Sequence, residues 1–153
     1  MKSRYAIAWA CFVEDWLCVR LPFRDYEAAL IDFAKANLDE ENRLRLLADL
    51  ANVKRHARSN SGRMVLLPPR RGTNPAGFEQ IAGLEDNILV ACRLRAPGCK
   101  PVKASLIAYE GRLHRMEFSP SPLPLWGEAL TVEAAAKPGR TRLARRIDRE
   151  EHG

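Results

Sequence analysis

A chain of 153 residues with 46% hydrophobic and 29% charged side chains has the balance of an ordinary globular protein, which excludes wholesale disorder. A domain of this length buries roughly 70% of the surface its unfolded chain exposes, so it folds without disulfide or metal staples. The most apolar early run, residues 5–13, is too short for a membrane helix and lacks a signal peptide's cleavage site, while a net charge of +6 points to an acidic partner without naming its kind.

In chain order, residues 5–13 place Tyr5, Ile7, Trp9, Cys11 and Val13 on one face and Ala6, Ala8, Ala10 and Phe12 on the other. That period of two predicts a strand buried on both faces, and residues 16–21 follow as a second strand. A turn at Glu14-Asp15 would set Cys11 opposite Cys18, and a helix over residues 6–18 is the alternative reading. Pro22 closes this region, and Asp25 is the predicted cap of a helix whose apolar face is Tyr26, Ala29, Leu30 and Phe33. Asn37 with Glu40, or Asp39, starts a second helix that runs to about Ala57, with Leu44, Leu46, Leu47, Leu50, Val53 and Ala57 on a broad apolar face. Lys54, Arg55 and Arg58 would then fill its last turn, where a helix dipole favours cations, and residues 59–62 would end it.

Residues 64–67 read as a short buried strand, residues 70–77 as an exposed loop and residues 87–94 as another strand. The strongest local signal lies in residues 103–118, where two apolar-alternating runs flank Glu110-Gly111, a pair suited to a tight hairpin. A two-residue loop sets Tyr109 opposite Arg112, Ile107 opposite His114, Ser105 opposite Met116 and Lys103 opposite Phe118. The inward face would then be Ile107, Tyr109, Met116 and Phe118. Residues 119–124, Ser-Pro-Ser-Pro-Leu-Pro, favour an extended polyproline conformation. Trp126, Leu130 and Val132 could tie the next segment back, and beyond Pro138 the pattern predicts an exposed tail with a marginal helix over residues 141–150. The order strand, strand, helix, helix, then strands and a hairpin predicts an α+β fold: two helices packed on a mostly antiparallel sheet, with an extended basic C-terminal tail. Residues 1–118 form the single domain in this reading, and residues 119–153 form a Pro-rich segment and tail.

No catalytic motif is visible. The three histidines, His56, His114 and His152, each sit where a structural or solvated role suffices, and no phosphate loop, nucleophile elbow or dinucleotide fingerprint occurs. Cys11, Cys18, Cys92 and Cys99 form two pairs with six residues between the members of each, wider than structural zinc pairs, so reduced thiols are expected and neither metal nor cofactor is assigned. Charge is the one uneven quantity. Lys54, Arg55, Arg58, Arg63, Arg70 and Arg71 lie in a stretch without an acidic residue, and a second basic run follows Lys137. These six cations, with Trp126 behind the prolines, are the candidate partner-binding residues.

Leu21-Pro22-x-x-Asp25-Tyr26, with Phe33 and Asn37 behind it and Gly111-Arg112-Leu113 later, resembles the layout of the SUKH superfamily over part of the chain. That resemblance implies a non-catalytic protein that binds and neutralises a partner. The chain departs from the layout in having no Asn-Gly-Gly after the first helix, and a long second helix where that superfamily turns into its sheet. The departures leave it unassigned to a family. The residues themselves predict a small cytoplasmic, non-catalytic binding or adaptor protein, with a protein partner and no membrane association. A nucleic-acid-binding protein using residues 54–71 is the alternative, and an enzyme or small-ligand protein with a pocket near His114, Tyr109 and Cys92 is a further one.

Overall fold

The computed structural model describes residues 22–53, 56–68, 72–79 and 86–135. The strands predicted over residues 5–13 and 16–21, the Cys11 and Cys18 pair, and the tail beyond residue 135 lie outside the described residues. Within them, two helices, α1 (Asp25–Asn37) and α2 (Glu40–Asn52), pack on an antiparallel sheet of six strands. The strands are β1 (Ala57–Arg58), β2 (Met64–Leu66), β3 (Asp86–Arg95), β4 (Val102–Tyr109), β5 (Arg112–Ser119) and β6 (Thr131–Ala134), in the spatial order β1-β2-β5-β4-β3-β6. The α+β architecture is therefore the one the element order predicts.

Helix α1 is capped differently from its sequence reading. Arg24 occupies the cap position and Asp25 is the first helical residue. Glu27, three residues past the cap, reaches back so that its carboxylate accepts the Arg24 N–H at 2.9 Å, whereas an Asp cap would have accepted an N–H of the helix's first turn. Glu27 itself is fully buried and receives Arg58 from β1 through two bonds of 2.6 and 2.7 Å. The ion pair turns the inward face towards Tyr26, Leu30, Ile31 and Ala34, leaving Ala29 and Phe33 half-buried.

Asp39, not Asn37, caps α2. The Asp39 carboxylate accepts both the backbone and side-chain N–H groups of Asn42, which hold it below the usual carboxylate range, while Asn37 closes α1 by donating to the Phe33 carbonyl. Helix α2 stops at Asn52, five residues earlier than predicted, and its last turn holds no cation. Asn52 donates to the Ala48 carbonyl, and Ala57–Arg58 pair with Leu66 and Val65 as a strand. Residues 59–62 are thus the turn of a hairpin and not the end of a helix, with Ser59 N–H donating to the Met64 carbonyl. Gly62 is required there: its φ is +67°, and a Cβ would stand 3.1 Å from the Leu123 side chain. The broad apolar face predicted for α2 is split. Leu46 is buried and Leu50 half-buried, whereas Leu44 and Leu47 point outward, and the acidic Asp49 is buried in their place.

The β4–β5 hairpin turns at Glu110 and Gly111, both at positive φ, and Tyr109 faces Arg112 as predicted. The register then shifts by one. Ala108 pairs with Leu113 but Ile107 pairs with Arg115, leaving His114 as the extra residue of a β-bulge. Leu113 and Met116 are three apart, so a regular strand would send them to opposite faces; the bulge lets both reach the core. The inward face consequently carries Ala104, Leu106, Met116 and Phe118, and Ile107 falls on the other side of the sheet.

Residues 119–125 do not run as a polyproline strip. Pro122 is helical in backbone and fully buried, Leu123–Leu125 form a short 3-10 turn, and Leu125 enters the core. Ser121 donates to the Ser61 carbonyl, the Cys99 thiol donates to the Pro124 carbonyl, and β6 then pairs with β3 along Cys92 to Arg95. Leu130 packs against the core while Val132 stays exposed.

Candidate partner-binding surface

The six cations singled out by charge do not behave as one surface. Arg58 is buried against Glu27 and holds β1 to α1, so its charge is compensated inside the protein. Arg63 is exposed at the start of β2. Lys54, Arg55, Arg70 and Arg71 lie outside the described residues. Trp126 is half-buried, with the Arg24 guanidinium 4.2 Å from its ring centroid, and the neighbouring Gly127 N–H donates to the Asp25 carboxylate at 2.9 Å. The tryptophan is thereby committed to its own fold. Beside it Arg24 donates to the Tyr26 hydroxyl at 3.0 Å, and burial pushes that phenol up to about 12.

The proposed pocket of His114, Tyr109 and Cys92 is not assembled. His114 and Tyr109 are neighbours, their rings 5.3 Å apart, but Tyr109 faces Asp86 at one end of β3 whereas Cys92 faces Ala104 well along it. The Cys92 side chain is fully buried, which pushes its thiol up to about 11. His114 lies with Nδ1 3.0 Å from Arg115 Nη1, and a guanidinium can only donate, so Nδ1 accepts. Burial and the adjacent Arg115 charge both push the His114 pKa down, favouring the neutral ring. Arg115 in turn clamps Asp86 through two bonds of 2.6 and 3.0 Å and Glu117 through one of 2.7 Å, and its donation holds the Asp86 carboxyl below its usual range. This network joins the hairpin to β3. Among the described residues no group of three His, Cys, Asp or Glu side chains could hold a metal ion, and no helix is long and apolar enough to cross a membrane.

Among the described residues, further cations without an ion pair stand on the face of the sheet away from the helices. Arg93 of β3 and Lys103 of β4 stand directly opposite each other, and both are exposed. Their row continues to Ser119 beyond Lys103 and to Glu133 beyond Arg93. Glu133, however, is taken by Arg95, whose Nε donates to it at 3.0 Å. Neither Arg93 nor Lys103 has a carboxylate partner among the described residues, and Lys100 adds an exposed cation on the turn leading into β4. Like charges directly opposite on adjacent strands destabilise a sheet, and Glu133, on the other side of Arg93, is bonded to Arg95. Charge counting missed this pair because Arg93 and Lys103 are ten residues apart in sequence, and only the β3–β4 register brings them together. The hairpin register predicted from sequence set Lys103 on the inward face with Phe118, and the bulge at His114 is what places it on the opposite face from Phe118. Comparison with known proteins gave no match to a family model, a curated protein or a solved structure.

Proposed function

We propose that this chain is a non-catalytic cytoplasmic binding protein that docks an acidic protein partner on the exposed part of the sheet's outer face, centred on Arg93 and Lys103. The observation that carries this reading is the cross-strand pair itself: two exposed cations face each other, and Glu133, opposite Arg93 on the next strand, is bound to Arg95. An anionic side chain placed between them would relieve their repulsion and gain two charge-assisted bonds. A protein is favoured over nucleic acid because the cations share this face with the Arg95–Glu133 and Arg115–Glu117 ion pairs, which makes it a surface of mixed sign. Fixed carboxylates repel a phosphate backbone, whereas a protein surface of mixed sign can match both charges. Free thiols at Cys92 and Cys99 accord with a reducing compartment.

The test is fluorescence anisotropy with a labelled poly-glutamate peptide and, separately, a labelled DNA duplex, each titrated with the native chain and with R93E/K103E. Binding of the peptide by the native chain, at least ten-fold weaker in the variant at unchanged melting temperature, supports the reading. Preferential binding of the duplex with a steep salt dependence would transfer the surface to nucleic acid. Equal peptide binding by both proteins, or none by either, would overturn it.

A further inference from the structure

Two carboxylates border the Arg93–Lys103 pair on the outer face of the sheet. Arg93 stands opposite Glu133 across the β3–β6 ladder and opposite Lys103 across the β3–β4 ladder. The Ala135 N–H donates to the Ala91 carbonyl, so alternate pairs along the β3–β6 ladder are hydrogen-bonded, and Arg93 with Glu133 is one of them. The Arg93 backbone groups therefore point to β6, which makes Arg93 with Lys103 a non-hydrogen-bonded pair. Such pairs bring side chains closer, with about 4.5 Å between Cα atoms against about 5.5 Å in a hydrogen-bonded pair. The two cations thus stand at the tighter spacing, with a carboxylate directly on the other side of Arg93. That carboxylate does not turn to Arg93. It takes the diagonal and accepts Arg95 Nε at 3.0 Å, although the residue opposite Arg95 is Thr131. Glu117 lies one diagonal step from Lys103 and is likewise taken, by Arg115 Nε at 2.7 Å. Both carboxylates beside the cation pair are bonded to arginines outside it.

We infer that Arg95 is a positioning residue for this surface: by holding Glu133 on the diagonal it keeps that carboxylate off Arg93 and leaves Arg93 and Lys103 open to an anion from outside. The inference rests on the partner-binding reading above and adds to it a residue that acts without touching the partner. A Glu133 carboxylate released from Arg95 has Arg93 as its direct neighbour on the same face. Closing on Arg93 would relieve part of the Arg93–Lys103 repulsion within the chain. The surface would then hold an anion of its own, in competition with the partner's. The Arg95 and Glu133 side chains are about half exposed, so water screens their bond, and the competition changes affinity a few-fold and not by orders of magnitude. Arg115 holds Glu117 in the same manner but also clamps Asp86. Its removal would disturb the hairpin, which makes Arg95 the residue to vary.

Two measurements test it on the native chain, R95A, R95K, E133Q and R95A/E133Q. The first needs no partner: exchange of arginine side-chain Nε–H groups with water, followed by NMR. Exchange at Arg93 should slow by about two-fold or more in R95A, as Glu133 moves onto it, and return to the native rate in R95A/E133Q. An Arg93 rate that is the same in the native chain and R95A overturns the inference, whether or not any peptide binds. The second measurement is anisotropy with the labelled poly-glutamate peptide. R95A should weaken binding by about two- to five-fold, the range an exposed ion pair supplies. R95K, which keeps a cation for Glu133, should restore most of that loss, and R95A/E133Q should bind as well as E133Q. An equal loss on removing Arg95 with and without Glu133 would make Arg95 one more attractive cation and overturn the positioning role. A native chain that binds no peptide defeats the partner-binding reading instead, and the exchange rates then decide the Glu133 contact alone.

Discussion

Asp49, buried in α2, accepts the backbone N–H of Leu113 at 2.7 Å, joining the helix to the strand at the residue preceding the bulged His114. Strand β2 has ended by this point, its last bond running from the Leu67 N–H to the His114 carbonyl, and the carboxylate supplies an acceptor where no strand continues. Asp49→Ala should therefore leave a buried N–H unpaired and cost about 1–3 kcal/mol, while Asp49→Asn, which keeps an acceptor oxygen, should lose less. Chemical denaturation of both variants checks this. Burial raises the Asp49 pKa above 3.8, with the Leu113 bond and the Arg112 charge opposing the shift. A carboxyl with a raised folded pKa contributes stability that is complete below its unfolded pKa and is lost as pH rises through the folded one. The native chain should show this component between pH 3.8 and the folded pKa, and Asp49→Asn should abolish it.

Arg58 and Arg63 carry the same charge five residues apart but occupy opposite environments. Arg58→Ala strands the fully buried Glu27 carboxylate and is expected to destabilise by about 3–5 kcal/mol. Arg63→Ala, at an exposed side chain without an ion pair, should change stability by less than about 0.5 kcal/mol. Equal thermal shifts for the two would contradict the ion pair.

Cys92 and Cys99 should differ sharply in reactivity. Burial removes access to Cys92 and disfavours its thiolate, whereas Cys99 is half-buried on a turn with its thiol donating to Pro124. Iodoacetamide followed by peptide mass mapping should modify Cys99 in the native protein, with Cys92 reacting only after denaturation.

Gly62→Ala should cost about 1–2 kcal/mol from the left-handed backbone alone, with a further loss as Leu123 is displaced. A variant at Gly98, which shares the positive φ but has open space around it, isolates the backbone component. The difference between their melting temperatures measures the Leu123 contact.

The legible part of the fold was the part specified by neighbours in sequence. Glu110-Gly111 announced its hairpin, and the apolar run Ile88, Leu89, Val90 and Cys92 announced β3. The His114 bulge was missed because its cause is tertiary: Leu113 and Met116 must both enter one core, and an ideal two-residue period cannot show that. Helix α2 was drawn too long because apolar spacing persists through Val53 and Ala57, although Arg58 is drawn into β1 by Glu27, 31 residues earlier in the chain. The candidate surface was least legible. Runs of arginine advertise charge density, but whether a cation is free depends on which carboxylate reaches it, and Arg58 and Arg93 exchanged roles on that criterion.

The bond from Gly127 to Asp25 spans 102 positions, and with Trp126 lying beside Arg24 it has a consequence for biosynthesis. As the chain leaves a ribosome, α1 emerges early with Arg24 and Asp25 lacking their eventual neighbours, and β3 waits for β6 on its outer side. Native closure is postponed until residues 123–134 have been made, well after the central hairpin can pair. During that interval the nascent protein exposes the apolar site later filled by Leu125.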